Sequence, residues 1–436
     1  MNGMLNVPQG AALSIGAVLG TGVIALPALA AQTAGPASLV AWAALIALSV
    51  PLAATFAALG ARFPDSGGVA TYARKAFGER AAAVVGWCFY LAVPVGAPAA
   101  ALFAGAYVAA ALGGGTRTEL LTAAGLMLAV TAGNLGGVRV SGRLQLGLAL
   151  LLVTLLLTAT VTALPHADPG HLRPFAPHGW WAVGSAAALL VWGFAGWEAV
   201  TSLAADFRRP ARDLPRATAI ALVVVGVLYF GIAAASILVL GPEPGDAPLA
   251  ELLARGVGGQ VKVLTAGAAV LLTLGTMNAY YAGAAKLGAA LGRDAALPAW
   301  FGRGSGAGEV PRRSLAVVAA LGGVSLVLAT LTGTGTRPLV LLTSGAFVLV
   351  YVLGTAAALR LLPRRTPVWW CAAVSFAASL GLLVLSGWYV LGTVAVAGCA
   401  LAYKKLADKR LADRKFVGKK FDRPVDPGDV PIDVGV

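Results

Sequence analysis

Gly16-Ala17-Val18-Leu19-Gly20-Thr21-Gly22 and Trp192-Gly193-Phe194-Ala195-Gly196-Trp197-Glu198 are the two stretches that decide the fold. Each interrupts an apolar segment otherwise long enough to cross a bilayer, and each opens a run of five hydrophobic segments. Backbone that leaves the helix at membrane depth exposes N–H and C=O groups that no water pairs, so such breaks persist where they line a cavity or are buried in protein. Matching breaks in two halves of a chain point to the binding site of a secondary transporter. One glycine-rich span alone would be explained by close helix crossing. Two at corresponding positions favour a site.

The rest of the chain agrees with a membrane setting. Hydrophobic residues make up 58% of the 436 residues and charged residues 11%, and the mean hydropathy is +0.83. So little charge over this length excludes an ordinary soluble domain and predicts an all-α polytopic membrane protein. Roughly twelve transmembrane helices of about 20 residues each can be drawn, over 10–33, 36–60, 81–112, 117–135, 142–164, 180–203, 216–240, 260–288, 314–333, 337–361, 367–386 and 388–403. Pro94 and Pro98 predict a tilt or kink in the long third span. Ala28-Leu29-Ala30 resembles a cleavage site, but residues 1–10 carry no Lys or Arg, so a retained first helix is expected rather than a signal peptide.

Orientation follows from the basic residues. With the N-terminus inside, the outer loops hold only Arg117, Arg173, Arg255, Lys262 and Arg337, and Lys286 lies within a span. The rest of the 32 Lys and Arg fall in the cytoplasmic loops and the tail. This asymmetry predicts the cell (cytoplasmic) membrane with both termini in the cytoplasm. It accounts for the net charge of +14 without nucleic acid as a partner. The segment Lys404–Leu411 reads as a stop-transfer cap, with a basic interfacial helix as the alternative, and residues 424–436 read as lacking fixed structure. Cys88, Cys371 and Cys399 fall within spans and form no disulfide framework or metal spacing.

The breaks offer specific chemistry. After Gly20, Thr21 and Gly22 the helix restarts, and its free N–H groups and positive dipole end suit a carboxylate. Carbonyls near Ala17 and Val18, and near Trp192, Phe194 and Ala195, suit an ammonium group. With Gly196 they would hold a free amino acid by both ends. Trp192, Phe194 and Trp197 are candidates for the side-chain pocket or a gate, and equally for core or lipid contact. Tyr280, Tyr281 and Asn278 are weaker candidates. Glu198 reads as the single acid inside any span. A carboxyl group at this depth usually faces a cavity or a partner. It is a candidate proton carrier, the alternative being an anchor hydrogen-bonded to the broken helix end. His166, His171 and His178 share one outer loop with Asp168, but no metal site is expected there, and no cofactor anywhere.

Four blocks resemble one known family. They are Gly20-Thr21-Gly22-Val23; Arg62-Phe63-Pro64-Asp65-Ser66-Gly67-Gly68 with Ala76-Phe77-Gly78; Trp192 to Glu198 followed by Asp206-Phe207-Arg208-Arg209-Pro210-Ala211-Arg212-Asp213-Leu214-Pro215-Arg216-Ala217; and Gly292-Arg293-Asp294-Ala295-Ala296-Leu297-Pro298. Together they resemble the amino acid–polyamine–organocation transporters over most of the chain. The resemblance implies an inverted five-plus-five repeat, with helices one and six broken around a central site, alternating access and an amino-acid substrate. The repeats would be 10–164 and 180–361, followed by two extra helices over 367–403 and a cytoplasmic tail over 404–436. Leu26-Pro27-Ala28-Leu29-Ala30-Ala31, Gly67-Gly68-Val69-Ala70 and Pro94-Val95-Gly96-Ala97-Pro98-Ala99-Ala100 look most like bacterial exporters of methionine and branched-chain amino acids. Some relatives place a lysine on helix five in the role of a sodium ion; none stands between Leu144 and Leu164.

The expected protein is therefore not an enzyme. It is a secondary active transporter of neutral apolar amino acids, coupled to protons and working as an exporter. An importer or exchanger of the same family, or a transporter-like sensor, is the alternative.

Overall fold

The computed structural model describes residues 6–64, 68–137, 142–198, 207–259, 261–305 and 309–421. The expectations for Asp65, Ser66, Gly67, Arg139, residues 199–203, Asp206 and residues 424–436 lie outside the described residues.

The first span is built in pieces, for local reasons. Asn6 caps α1 (Val7–Val18): its side chain accepts the Gln9 N–H at 3.0 Å, and Gln9 reaches back to the Asn6 N–H at 3.2 Å. The helix stops at Leu19 and a 3₁₀ turn covers Thr21–Ile24. α2 (Leu26–Ala34) then restarts with Pro27 in its first turn, where a missing N–H costs nothing. The chain turns at Gly35, whose φ is 60°, into α3 (Ser38–Arg62).

Next come α4 (Gly68–Phe77), α5 (Glu79–Leu112), α6 (Thr116–Leu135) and α7 (Gly142–Ala163). α8 (Trp181–Phe194) ends at the second break. α9 (Pro210–Ala235), α10 (Pro248–Gly256), α11 (Val261–Arg293), α12 (Arg312–Thr332), α13 (Arg337–Leu361), α14 (Pro367–Leu385) and α15 (Val390–Phe421) complete the order.

Among the described residues, ten helices are long and apolar enough to cross a membrane, with Leu26–Arg62 counted as one. α1 and α8 are shorter apolar helices that precede the two breaks. This is why ten stand where the sequence reading drew about twelve. α5 runs as one helix through Pro94 and Pro98. α15 continues past residue 403 as helix to Phe421, so the tail boundary expected at 404 is not a helix end. Lys404 is drawn inward there, donating from Nζ to the Asp294 carbonyl at 3.1 Å. Glu119 lies in the first turn of α6, so Glu198 is not the single acid within a spanning helix.

α5 is the central element, touching α4, α6, α11, α12, α13 and α15. Two buried apolar clusters flank it. One holds Trp42, Phe56, Trp197, Tyr229 and Tyr351; the other holds Tyr90, Met127, Met277 and Tyr281; Trp192 packs against both. Hydroxyl groups inside the bundle turn back onto their own helices, as in Ser14 to the Gly10 carbonyl (2.8 Å) and Ser49 to Leu45 (2.8 Å). This back-bonding satisfies polar groups that lipid cannot. One amide pair crosses between helices: Asn134 on α6 donates from Nδ2 to Asn278 Oδ1 on α11 at 2.8 Å, both buried.

That pair yields a test. Asn134→Leu strands the Asn278 amide and should lower stability by about 0.6 kcal/mol, with about 1.7 as the ceiling for such bonds. Asn134→Leu/Asn278→Leu should recover part of the loss. Thermal unfolding of the purified variants in one detergent measures both.

Candidate functional site

The two breaks meet in space. Gly196 has φ 132°, and a Cβ placed on it would lie 2.7 Å from the Ala17 carbonyl oxygen. Only glycine lets the second break approach the end of α1 this closely. Tyr229, on α9, stitches them together. Its hydroxyl lies 2.9 Å from the Val18 carbonyl and 2.7 Å from the Gly193 carbonyl, and one proton serves both. The ring is held edge-on against Phe194 (5.1 Å, 87°) and Trp42 (5.4 Å, 74°).

What the breaks leave open is narrower than expected. The Val18 carbonyl is occupied by Tyr229 and by the Gly20 N–H at 2.8 Å. The Trp192 carbonyl accepts the Ala195 N–H at 3.4 Å, and the Phe194 carbonyl lies 3.4 Å from the Tyr351 hydroxyl. The last turn of α1 leaves the Gly16 and Ala17 carbonyls without an intrahelical donor, because Leu19 N–H returns to Ile15. Thr21 and Gly22 open the 3₁₀ turn, so their N–H groups have no intrahelical acceptor.

A cavity of about 390 Å³ lies against these groups, within the range of small-molecule clefts. Gly16, Ala17, Leu19 and Gly20 line it from the first break, Gly196 and Glu198 from the second, and Thr276, Tyr280, Gly283 and Leu287 from α11. A smaller cavity of about 60 Å³ adjoins it, lined by Val18, Gly96, Ala97, Ala100, Trp192, Ala195, Met277 and Thr343. The two share Ala17, Gly20, Val93, Thr276, Tyr280 and Phe347. Thr343 Oγ1 is buried with no partner among the described residues, an unused hydroxyl beside the smaller cavity.

Glu198 is 8% exposed and is the one formally charged side chain among the described lining residues. Its Oε2 accepts the Gly196 N–H at 2.9 Å and the Tyr351 O–H at 2.7 Å. The carboxylate therefore closes the second break onto α13 as well as facing the cavity. These contacts are those of the anchor that the sequence reading gave as the alternative to a proton carrier.

The other candidates divide. Ala17, Val18, Gly20, Trp192, Ala195, Gly196, Glu198 and Tyr280 line one cavity or both. Gly22 does not: a Cβ there would lie 2.6 Å from Trp192 Cδ1, so the indole covers it. The Thr21 side chain lies outside the described residues. Phe194 points into the core with Trp42 and Tyr229. It follows Trp192 by two residues, about 200° around the helix, so the two cannot share a face. Trp197 is also core, its indole donating to Ser49 Oγ at 3.1 Å. Tyr281 and Asn278 face the second core, away from Tyr280. In the loop that holds the histidines, His171 Nδ1 pairs with the Leu238 carbonyl at 2.9 Å and Asp168 Oδ1 accepts the Gly170 N–H at 2.7 Å. Among the described residues no group of three metal-ligating side chains is found.

The comparison with known proteins bears on this geometry. The amino acid permease pattern matches residues 5–403. The chain belongs to the amino acid permease family. It is similar to the uncharacterized amino acid permease YecA of Bacillus subtilis, at 35% identity over 91% of this chain and 94% of that one. It is also similar to the L-methionine/branched-chain amino acid exporter YjeH of Escherichia coli, at 39% identity over 52% of this chain and 54% of that one. The branched-chain amino acid permease BcaP of Bacillus subtilis is 29% identical over 51% of this chain and 52% of its own. This permease is thus a multi-pass membrane transporter and not an enzyme.

Tyr229 offers the direct test of how the breaks are held. Tyr229→Phe keeps the ring between Trp42 and Phe194, removes the hydroxyl from the Gly193 carbonyl and leaves the Val18 carbonyl with the Gly20 N–H alone. It should cost about 1–3 kcal/mol, read as a lowered unfolding midpoint with retained expression.

Proposed function

We propose that this permease carries neutral, apolar amino acids, methionine or the branched-chain residues, and couples their export to protons through Glu198. The carrying observation is the charge inventory of the cavity. Glu198 is its one charged lining residue, already holding two donors, and no basic side chain lines either cavity among the described residues. The substrate's own charges then fall to the backbone. The restarting turn beside Gly20, with the Thr21 amide, suits its carboxylate, and the Gly16 and Ala17 carbonyls suit its ammonium. The side chain enters the small apolar recess between Gly96, Ala100, Met277 and Phe347. The names of YjeH and BcaP support the same substrate class.

The cavity reaches Gly68, Val69, Gly283 and Leu287, next to the arginine-rich loops expected in the cytoplasm. At the other end Tyr107 donates to the Ile24 carbonyl at 2.6 Å and accepts the Leu249 N–H at 3.2 Å, while Trp192 lies over Gly22 with Phe103 edge-on at 6.2 Å. This arrangement suits loading from the cytoplasm, as export requires, with both termini on that side.

The reconstituted protein tests the substrate class. Leucine, isoleucine, valine or methionine should drive counterflow and arginine should not, because a second buried cation would lack a partner. Robust arginine flux would overturn the assignment. Coupling has its own test. Glu198→Gln keeps an oxygen to accept from Gly196 and Tyr351, so it removes the proton without removing the anchor. It should abolish accumulation driven by a pH gradient and spare exchange. Undiminished driven accumulation would leave Glu198 as an anchor alone.

A further inference from the structure

The connection between α11 and α12 takes no part in the transport cavity and carries a second feature. A cavity of about 470 Å³ opens there, lined by Arg303, Gly304, Glu309, Val310, Arg312 and Arg313. Three guanidinium groups stand against one carboxylate. Arg313 is fixed over the Trp300 ring at 5.4 Å, and Phe301 packs edge-on against Tyr90 of α5 at 6.0 Å, tying the connection to the bundle. Stacking of this kind pre-organises a guanidinium. Arg313 Nη1 is shielded from solvent and has no acceptor among the described residues. A charged donor that is desolvated and unpaired is costly, so the arrangement is complete only with an anion.

Position narrows the anion. Val324, Val327, Leu328 and Leu331 of α12 are exposed apolar residues, a surface for hydrocarbon. Arg312 and Arg313 form the first turn of that helix and therefore stand at headgroup level, where its dipole is also positive. Trp300, 45% exposed, suits the same interface. Arginine forks match phosphate oxygens two at a time, and an anionic leaflet attracts such clusters. We infer that this arginine cavity binds the phosphodiester headgroup of an anionic phospholipid. The inference rests on the membrane-spanning fold and not on the substrate assignment.

Native mass spectrometry of the full chain in detergent, titrated with phosphatidylglycerol or phosphatidylcholine, tests it. Phosphatidylglycerol should stay bound and raise the unfolding midpoint, and phosphatidylcholine should do neither. Arg303→Gln/Arg312→Gln changes two exposed positions and should weaken retention by roughly fivefold per arginine. Arg313→Gln should do the same. Arg364→Gln/Arg365→Gln, on another loop, should leave retention unchanged. Unchanged retention in the Arg303/Arg312 double variant would overturn the proposal. So would inorganic phosphate reproducing the stabilisation at matched concentration, which would make this a free-anion site.

Discussion

Breaking a helix inside a bilayer frees backbone groups that must be paired by protein, and most of the transport region follows from how this chain pairs them. The Tyr229 hydroxyl takes one carbonyl from each break. The Glu198 carboxylate takes an N–H from the second break and a hydroxyl from α13. A buried unpaired group costs about 1–3 kcal/mol, so these two side chains together offset a penalty comparable to a good part of a domain's net stability. At the first break the Gly16 and Ala17 carbonyls, which have no intrahelical donor, line the cavity, and in the proposed function they take the substrate's ammonium group.

The sequence makes the breaks legible because two glycine-rich interruptions stand at corresponding positions of the two halves, and it makes Glu198 legible because an acid there is costly. Tyr229, Tyr351, Thr343 and Phe347 carry no comparable mark. They sit on helices apolar on all sides, where no amphipathic stripe tells which face turns inward. Only tertiary packing fixes that rotation. The placement of Phe194 could have been read: two residues from Trp192 on a helix, it faces the other way. On α11 the same geometry separates Thr276, Tyr280, Gly283 and Leu287, which line the cavity, from Asn278 and Tyr281, which do not. The helix runs on past residue 403 because Lys, Ala and Leu are good helix formers and no proline intervenes before Phe421.

The proposed coupling role of Glu198 would act through the contacts that hold the second break. A carboxylate accepts from Gly196 and Tyr351 at once. Both contacts end on Oε2; once protonated on Oε1 the group keeps them as a weaker, uncharged acceptor and gains a donor of its own. Tyr351 belongs to α13, which also carries Thr343 and Phe347 on the cavity wall, and Gly196 belongs to the break itself. In the proposed coupling, a proton at Glu198 would act on the seam between the second break and the α13 wall of the smaller cavity. Coupling of this kind needs no long pathway. Glu198, the positive-φ Gly196 and the carbonyls proposed to hold the substrate all lie within one cluster around Ala17 and Gly196, so in the proposed cycle a change in any one would alter the free energy of the others.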